Sequence, residues 1–155
     1  MSRFPITYDL TLERRPGSAI DVHAGRRPSL AVGPPPEFGG NDVWWSPEHL
    51  LVSAAATCFA TTLIAVAEHS GIALGGLRLG AKGTLDKTES GIGFTSIRIE
   101  LELELANDED SAKAERVVEK AKKQCFVANS LRCPVDVTVN VSSKPSAAGS
   151  HPLVA

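Results

Sequence analysis

Residues 46–71 read Ser-Pro-Glu-His-Leu-Leu-Val-Ser-Ala-Ala-Ala-Thr-Cys-Phe-Ala-Thr-Thr-Leu-Ile-Ala-Val-Ala-Glu-His-Ser-Gly, and their reading decides the fold. Ser46 can cap a helix with its hydroxyl, and Pro47 suits the first helical position, where its missing N–H costs nothing. Glu48 favours the positive end of the helix dipole. Gly71 suits the left-handed residue that ends a helix. One long helix is therefore predicted from about Pro47 to Ser70. No charged residue occurs between Leu50 and Ala67. A helix that is apolar on all sides either crosses a membrane or forms the centre of a core. This one is built from Ala, Ser and Thr as much as from Leu and Ile. Glu48, His49, Glu68 and His69 bracket it closely. A buried core helix, and no membrane partner, is the expectation.

The flanking segments read mainly as strands. Ile6, Tyr8, Leu10 and Leu12 alternate with polar or small residues, the period of a half-buried strand. Arg15-Pro16-Gly17 turns the chain, Ile20 and Val22 suggest a second short strand, and Leu30 and Val32 a third. Pro34, Pro35 and Pro36 then forbid regular pairing before Gly39-Gly40. Beyond the long helix, Ile97, Ile99, Leu101, Leu103 and Leu105 alternate with Arg98, Glu100, Glu102 and Glu104, giving one buried and one wet face. The Glu row reads as a solvated face. A second helix is expected from the acidic stretch at Asn107–Ser111, with Ala114, Val117, Val118, Ala121 and Cys125 on its buried stripe. Val135, Val137, Val139 and Val141 make a last strand. The order is strands, long helix, strand pair, helix, strand, an α+β plan.

The chain has 155 residues and suits one domain, here residues 1–143 with a loose tail at 144–155. Its formal net charge is −2 with acids and bases mixed, so no nucleic-acid partner is expected. The N-terminus MSRFPITYDL lacks an apolar signal-peptide core. Three cysteines without zinc spacing fit a reducing compartment, and a cytoplasmic location is expected. His23, His49, His69 and His151 are scattered and show no ligand spacing, so neither metal nor other cofactor is expected.

Chemistry points to thiols. Cys58 and Cys125 each fall on the buried side of a helix that must pack against the same core. Such thiols could meet if their Cα atoms came within about 7 Å. Small core hydrophobes would read the same way. A reactive thiol must be a thiolate. Cys58 lies about three turns into its helix, beyond the reach of the dipole. It therefore needs a nearby cation, and Arg14, Arg15, Arg26 and Arg27 are the candidates.

Several stretches resemble the OsmC/Ohr family, the osmotically induced and organic-hydroperoxide-resistance proteins. They are Pro36-Glu37-Phe38-Gly39-Gly40, Ser46-Pro47-Glu48-His49-Leu50-Leu51 leading to Cys58, and Cys125 followed by Val127-Ala128-Asn129-Ser130-Leu131. The resemblance extends to about Val141. It implies an intertwined homodimer of antiparallel sheets wrapped around long central helices. It also implies thiol-dependent reduction of peroxides, organic hydroperoxides especially, without a cofactor. Cys58 would attack the peroxide, Cys125 would resolve the sulfenic acid as a disulfide, and an external dithiol such as a dihydrolipoyl protein would restore the enzyme. Glu48 matches the family glutamate. Arg15 is taken as the active-site arginine, with Arg14, Arg26 and Arg27 still open. Phe126 stands where the family has proline, and a proline follows Cys133 instead. Cys133 opens the last strand and is set aside as resolving residue. The alternative is a binding or structural protein on the same fold with inert thiols. Glu48 and Cys58 lie roughly 15 Å apart along one helix at 1.5 Å rise per residue, so Glu48 is expected to serve the partner's Cys58.

Overall fold

A computed structural model describes residues 4–17, 19–107 and 110–142. The expected loose tail at 144–155 lies outside them. Residues up to Leu51 form one compact unit, and those from Val52 onward form another.

In the first unit, β1 (Thr11–Arg14), β2 (Ile20–His23) and β3 (Leu30–Val32) form an antiparallel sheet in that order. The expected strand from Ile6 starts only at Thr11, because β2 ends at His23, the partner of Thr11, and residues 6–10 find no ladder. Phe4, Ile6, Tyr8, Leu10 and Leu12 are all exposed, Tyr8 at 89%. A second difference lies in β2. Asp21 is buried while Ile20 is exposed, so the polar residue of this strand faces inward. After the proline run, Gly39 takes a left-handed conformation at φ 79°. A Cβ on Gly40 would lie 1.6 Å from the Pro34 carbonyl oxygen, so only glycine fits there.

The long helix α1 spans Pro47–His69, close to the predicted bounds. The Ser46 hydroxyl accepts the His49 N–H at 3.2 Å, the expected cap, and Gly71 closes the far end at φ 69°. By length and composition α1 could cross a membrane, with a mean hydropathy of 2.1. Within the second unit, its Ala55, Phe59, Leu63 and Ala67 form a fully buried row at four-residue spacing.

That row packs into a core with β5 and α2. Strands β4 (Leu74–Thr88) and β5 (Gly91–Leu105) pair antiparallel. All five apolar residues of the alternating stretch Ile97–Leu105 are buried, while Arg98, Glu100 and Glu102 are exposed. The final strand β6 (Val135–Ser142) runs parallel to β5, so the sheet is mixed rather than antiparallel as expected. The reason is connectivity. The chain returns through α2 (Ser111–Gln124) and a short α3 (Phe126–Ser130), and such a crossover brings the next strand in the same direction. Gly83 of β4 sits beneath α1, where a Cβ would lie 2.5 Å from Val52 Cγ2.

Helix α2 buries the predicted Ala114, Val117, Val118 and Ala121. It stops one residue short of Cys125, which has extended backbone (φ −73°, ψ 101°) between α2 and α3. The helical period still carries the Cys125 side chain to the core, where it is 1% exposed.

Phe59→Ala should cost about 3–5 kcal/mol, because the cavity opens where α1 meets the sheet. Glu102→Gln, on the wet face, should stay within about 0.5 kcal/mol. Urea unfolding of both variants at one protein concentration checks the contrast.

Candidate active site

Cys58 lies in the middle of α1 and is half-buried, at the edge of the core that encloses Cys125. The Cys125 thiol points at the Ala55 carbonyl oxygen of α1, 4.0 Å away. Both sequence-predicted thiols therefore border one core, Cys58 at its edge and Cys125 inside it. Burial pushes the Cys125 pKa up, and the nearby Cys58 thiol pushes the same way. Backbone N–H groups of Ala128 and Val127, in the first turn of α3, lie near the Cys125 sulfur and pull in the opposite direction. Burial is the largest of these effects, so Cys125 is held as a thiol above the usual range.

What fixes this junction is Asn129. Its side-chain Nδ2 donates to the Lys123 carbonyl at the end of α2 (2.9 Å), and its backbone N–H donates to the Cys125 carbonyl (3.0 Å). One residue thereby satisfies groups on both sides of the break. Asn129 was legible as part of a motif, but its role was not. On α1, the Thr61 hydroxyl donates to the carbonyls of Thr57 (2.9 Å) and Cys58 (3.1 Å), keeping its polar atom off the apolar surface. Cys133 lies half-buried in the bend before β6, against the rim of the same core.

The other predicted residues lie in the first unit. Arg15 follows β1 and its Nε donates to Asp21 Oδ2, an ion pair that β1–β2 pairing sets up. Asp21 is the residue that sequence reasoning missed, since its strand pattern marked it as outward. Its other oxygen, Oδ1, is buried without a hydrogen-bond partner among the described residues, and so is Oε2 of Glu48 in the first turn of α1. Arg14 and Arg26 are exposed, and Arg27 donates to the Ala24 carbonyl at 3.2 Å. Among the described residues, no group of three or more His, Cys, Asp or Glu is placed to hold a metal ion.

Comparisons with known proteins show the family and the fold. The protein YmaD of Bacillus subtilis, named as uncharacterized, is 27% identical over 134 residues, covering 83% of this chain and 89% of that one. An OsmC-like protein of unknown function from Vibrio cholerae has the same fold, with a TM-score of 0.80 at 15% identity, over 88% of this chain and all of that one. An organic hydroperoxide resistance protein OsmC from Legionella pneumophila is 26% identical with a TM-score of 0.65, over 89% of this chain and 99% of the other. The organic hydroperoxide resistance protein OhrB of Bacillus subtilis is 25% identical with a TM-score of 0.59, over 88% and 98%. The family model for OsmC-like protein matches residues 39–140. With α1, the β4–β5 pair and both cysteines of the junction inside that span, the chain belongs to the OsmC-like protein family.

Proposed function

We propose that the protein reduces peroxides, organic hydroperoxides especially, through Cys58, with Cys125 as the resolving thiol. The observation that carries this reading is a half-buried thiol on α1 at the edge of the same core that encloses a fully buried thiol at the α2–α3 break. Accessibility supports the division of roles. Cys58 is the sulfur a peroxide can reach. Cys125, held protonated by burial, waits behind it.

In this mechanism the Cys58 thiolate attacks one peroxide oxygen and the O–O bond breaks. The alcohol leaves with a proton, and Cys58 becomes a sulfenic acid. The Cys125 sulfur then attacks the Cys58 sulfur. The S–O bond breaks, and water leaves with the Cys125 proton. An external dithiol reduces the resulting disulfide. Similarity to proteins named for organic hydroperoxide resistance supports the substrate class.

The reading includes a homodimer. The exposed apolar row from Phe4 to Leu12, most of it without a ladder of its own, supports it, since such a row invites cover by another chain. Only 33% of the most apolar stretch of α1 is buried, which points the same way. Glu48 Oε2 and Asp21 Oδ1 lack donors among the described residues, and a second chain is a source of them. We assign Glu48 to the partner's Cys58, and Arg15 to the cation that favours the thiolate.

Cys58→Ser should abolish turnover with cumene hydroperoxide. Cys125→Ser should permit one oxidation and then stall, and Cys133→Ser should turn over normally. Near-normal turnover of Cys58→Ser would overturn the mechanism.

Mixed dimers test the shared site. Glu48→Ala chains and Cys58→Ser chains, each inactive alone, should recover activity when combined, because one of the two mixed sites is then intact. No recovery on mixing would refute the assignment.

Stability of the reduced protein should depend on pH through Cys125. Its folded pKa is raised above the unfolded value of about 8.5, so its contribution is fully present below that pH and is lost as pH rises through the folded value. Urea midpoints should fall as pH rises above the unfolded value of about 8.5, and fall less for Cys125→Ala.

A further inference from the structure

We infer that the solvent face of α2 is a docking surface for an acidic protein dithiol, the reductant that returns the Cys58–Cys125 disulfide to thiols. The inference rests on the peroxide-reducing reading above. At about 3.6 residues per turn, Lys113, Arg116, Lys120 and Lys123 fall within one arc of roughly 80°. The buried Ala114, Val117, Val118 and Ala121 lie on the other side of the helix. Glu115 and Glu119 fall outside the basic arc, and Glu119 is occupied by Lys122 at 2.7 Å. Lys113 holds Asp110 at 3.1 Å. Arg116, Lys120 and Lys123 are exposed and make no salt bridge among the described residues. The whole chain carries a net charge of −2, so this positive stripe does not mirror the molecule's overall charge.

Position gives the stripe its meaning. It runs along α2 to Lys123, just before Cys125, and Asn129 ties the Lys123 carbonyl to α3. Phe126, the next residue after Cys125, is 76% exposed, an apolar side chain at the edge of the thiol junction. A cationic stripe that ends at an exposed aromatic residue beside a disulfide suits a partner with acidic groups around its own dithiol. Charge steers the encounter, and the aromatic contact holds it.

The exchange balances. A thiolate of the partner attacks Cys58 Sγ, the more accessible sulfur, and the S–S bond breaks. Cys125 leaves as a thiolate and takes up the proton that the attacking thiol had released. The N–H groups of Val127 and Ala128, which lie near its sulfur, favour that leaving thiolate. The partner's second thiol then attacks the mixed disulfide and releases Cys58. The partner ends as a disulfide and this chain as two thiols.

The test uses full-length protein whose Cys58–Cys125 disulfide has been formed with diamide and verified by mass. Two synthetic peptides share a Cys-Gly-Pro-Cys core, one flanked by glutamates and the other by lysines. Dithiothreitol is the small neutral reductant. At low salt the glutamate peptide should reduce the protein about tenfold faster than the lysine peptide. The gap should close at high salt. The triple variant Arg116→Gln, Lys120→Gln, Lys123→Gln should abolish the gap while its rate with dithiothreitol stays unchanged, which shows that the fold and the disulfide are intact. Equal rates for the two peptides, or a gap that survives in the triple variant, would overturn the docking surface. Failure of peroxide to oxidise Cys58 would overturn the peroxide reading alone, because diamide makes the disulfide independently. A disulfide that neither reagent can form would overturn both.

Discussion

The withdrawal of the Cys125 sulfur from water, at a break between two helices and against the Ala55 carbonyl of α1, is the constraint on which the rest of the site depends. It needs three things at once. The apolar stripe of α2 must pack on the sheet, α1 must present a close-packed side built from alanines, and the backbone must leave the helix at the thiol. Asn129 meets the last need by satisfying groups on both sides of the break. Without it, the Lys123 carbonyl at the end of α2 would be left to water, and the break would lose the side-chain bond that ties α3 to α2.

The same constraint makes the two thiols unequal. One sulfur lies at the edge of the core and the other inside it. Desolvation, the strongest influence on Cys125, favours its neutral form, and the two backbone N–H groups temper that preference without reversing it. In the proposed reaction, a thiol kept neutral by burial near backbone N–H groups suits the second step of oxidation and the first release in reduction. The charges are also sorted by face. Apolar α2 residues turn toward β5, and cations gather on the opposite side of the same helix.

Much of this was legible in the chain because the signals were local and strong. The bounds of α1 follow from Ser46, Pro47 and Gly71, and the burial of β5 follows from strict alternation over Ile97–Leu105. That Cys58 and Cys125 border one core followed from two helical periods that share it. What was not legible depends on partners distant in sequence. The parallel direction of β6 is a property of the crossover, not of the Val135–Val141 pattern, which reads identically either way. Residues 6–10 carry a strand pattern without a ladder, because strand periodicity does not say whether a partner is present. Asp21 faces inward on a strand whose apolar neighbours suggested the reverse, and its ion pair with Arg15 explains why. The end of α2 at Gln124 has neither glycine nor proline to mark it; the signal is Asn129, beyond the break.

Family membership and fold follow from the extent of the match, and the proposed chemistry centres on one junction. The measurement that bears on it most directly is peptide mapping of the wild-type protein after one equivalent of cumene hydroperoxide. The account requires a new disulfide joining the peptide that contains Cys58 to the peptide that contains Cys125, with Cys133 recovered as a free thiol. A Cys58–Cys133 link, or three free thiols after the peroxide has been consumed, would contradict it.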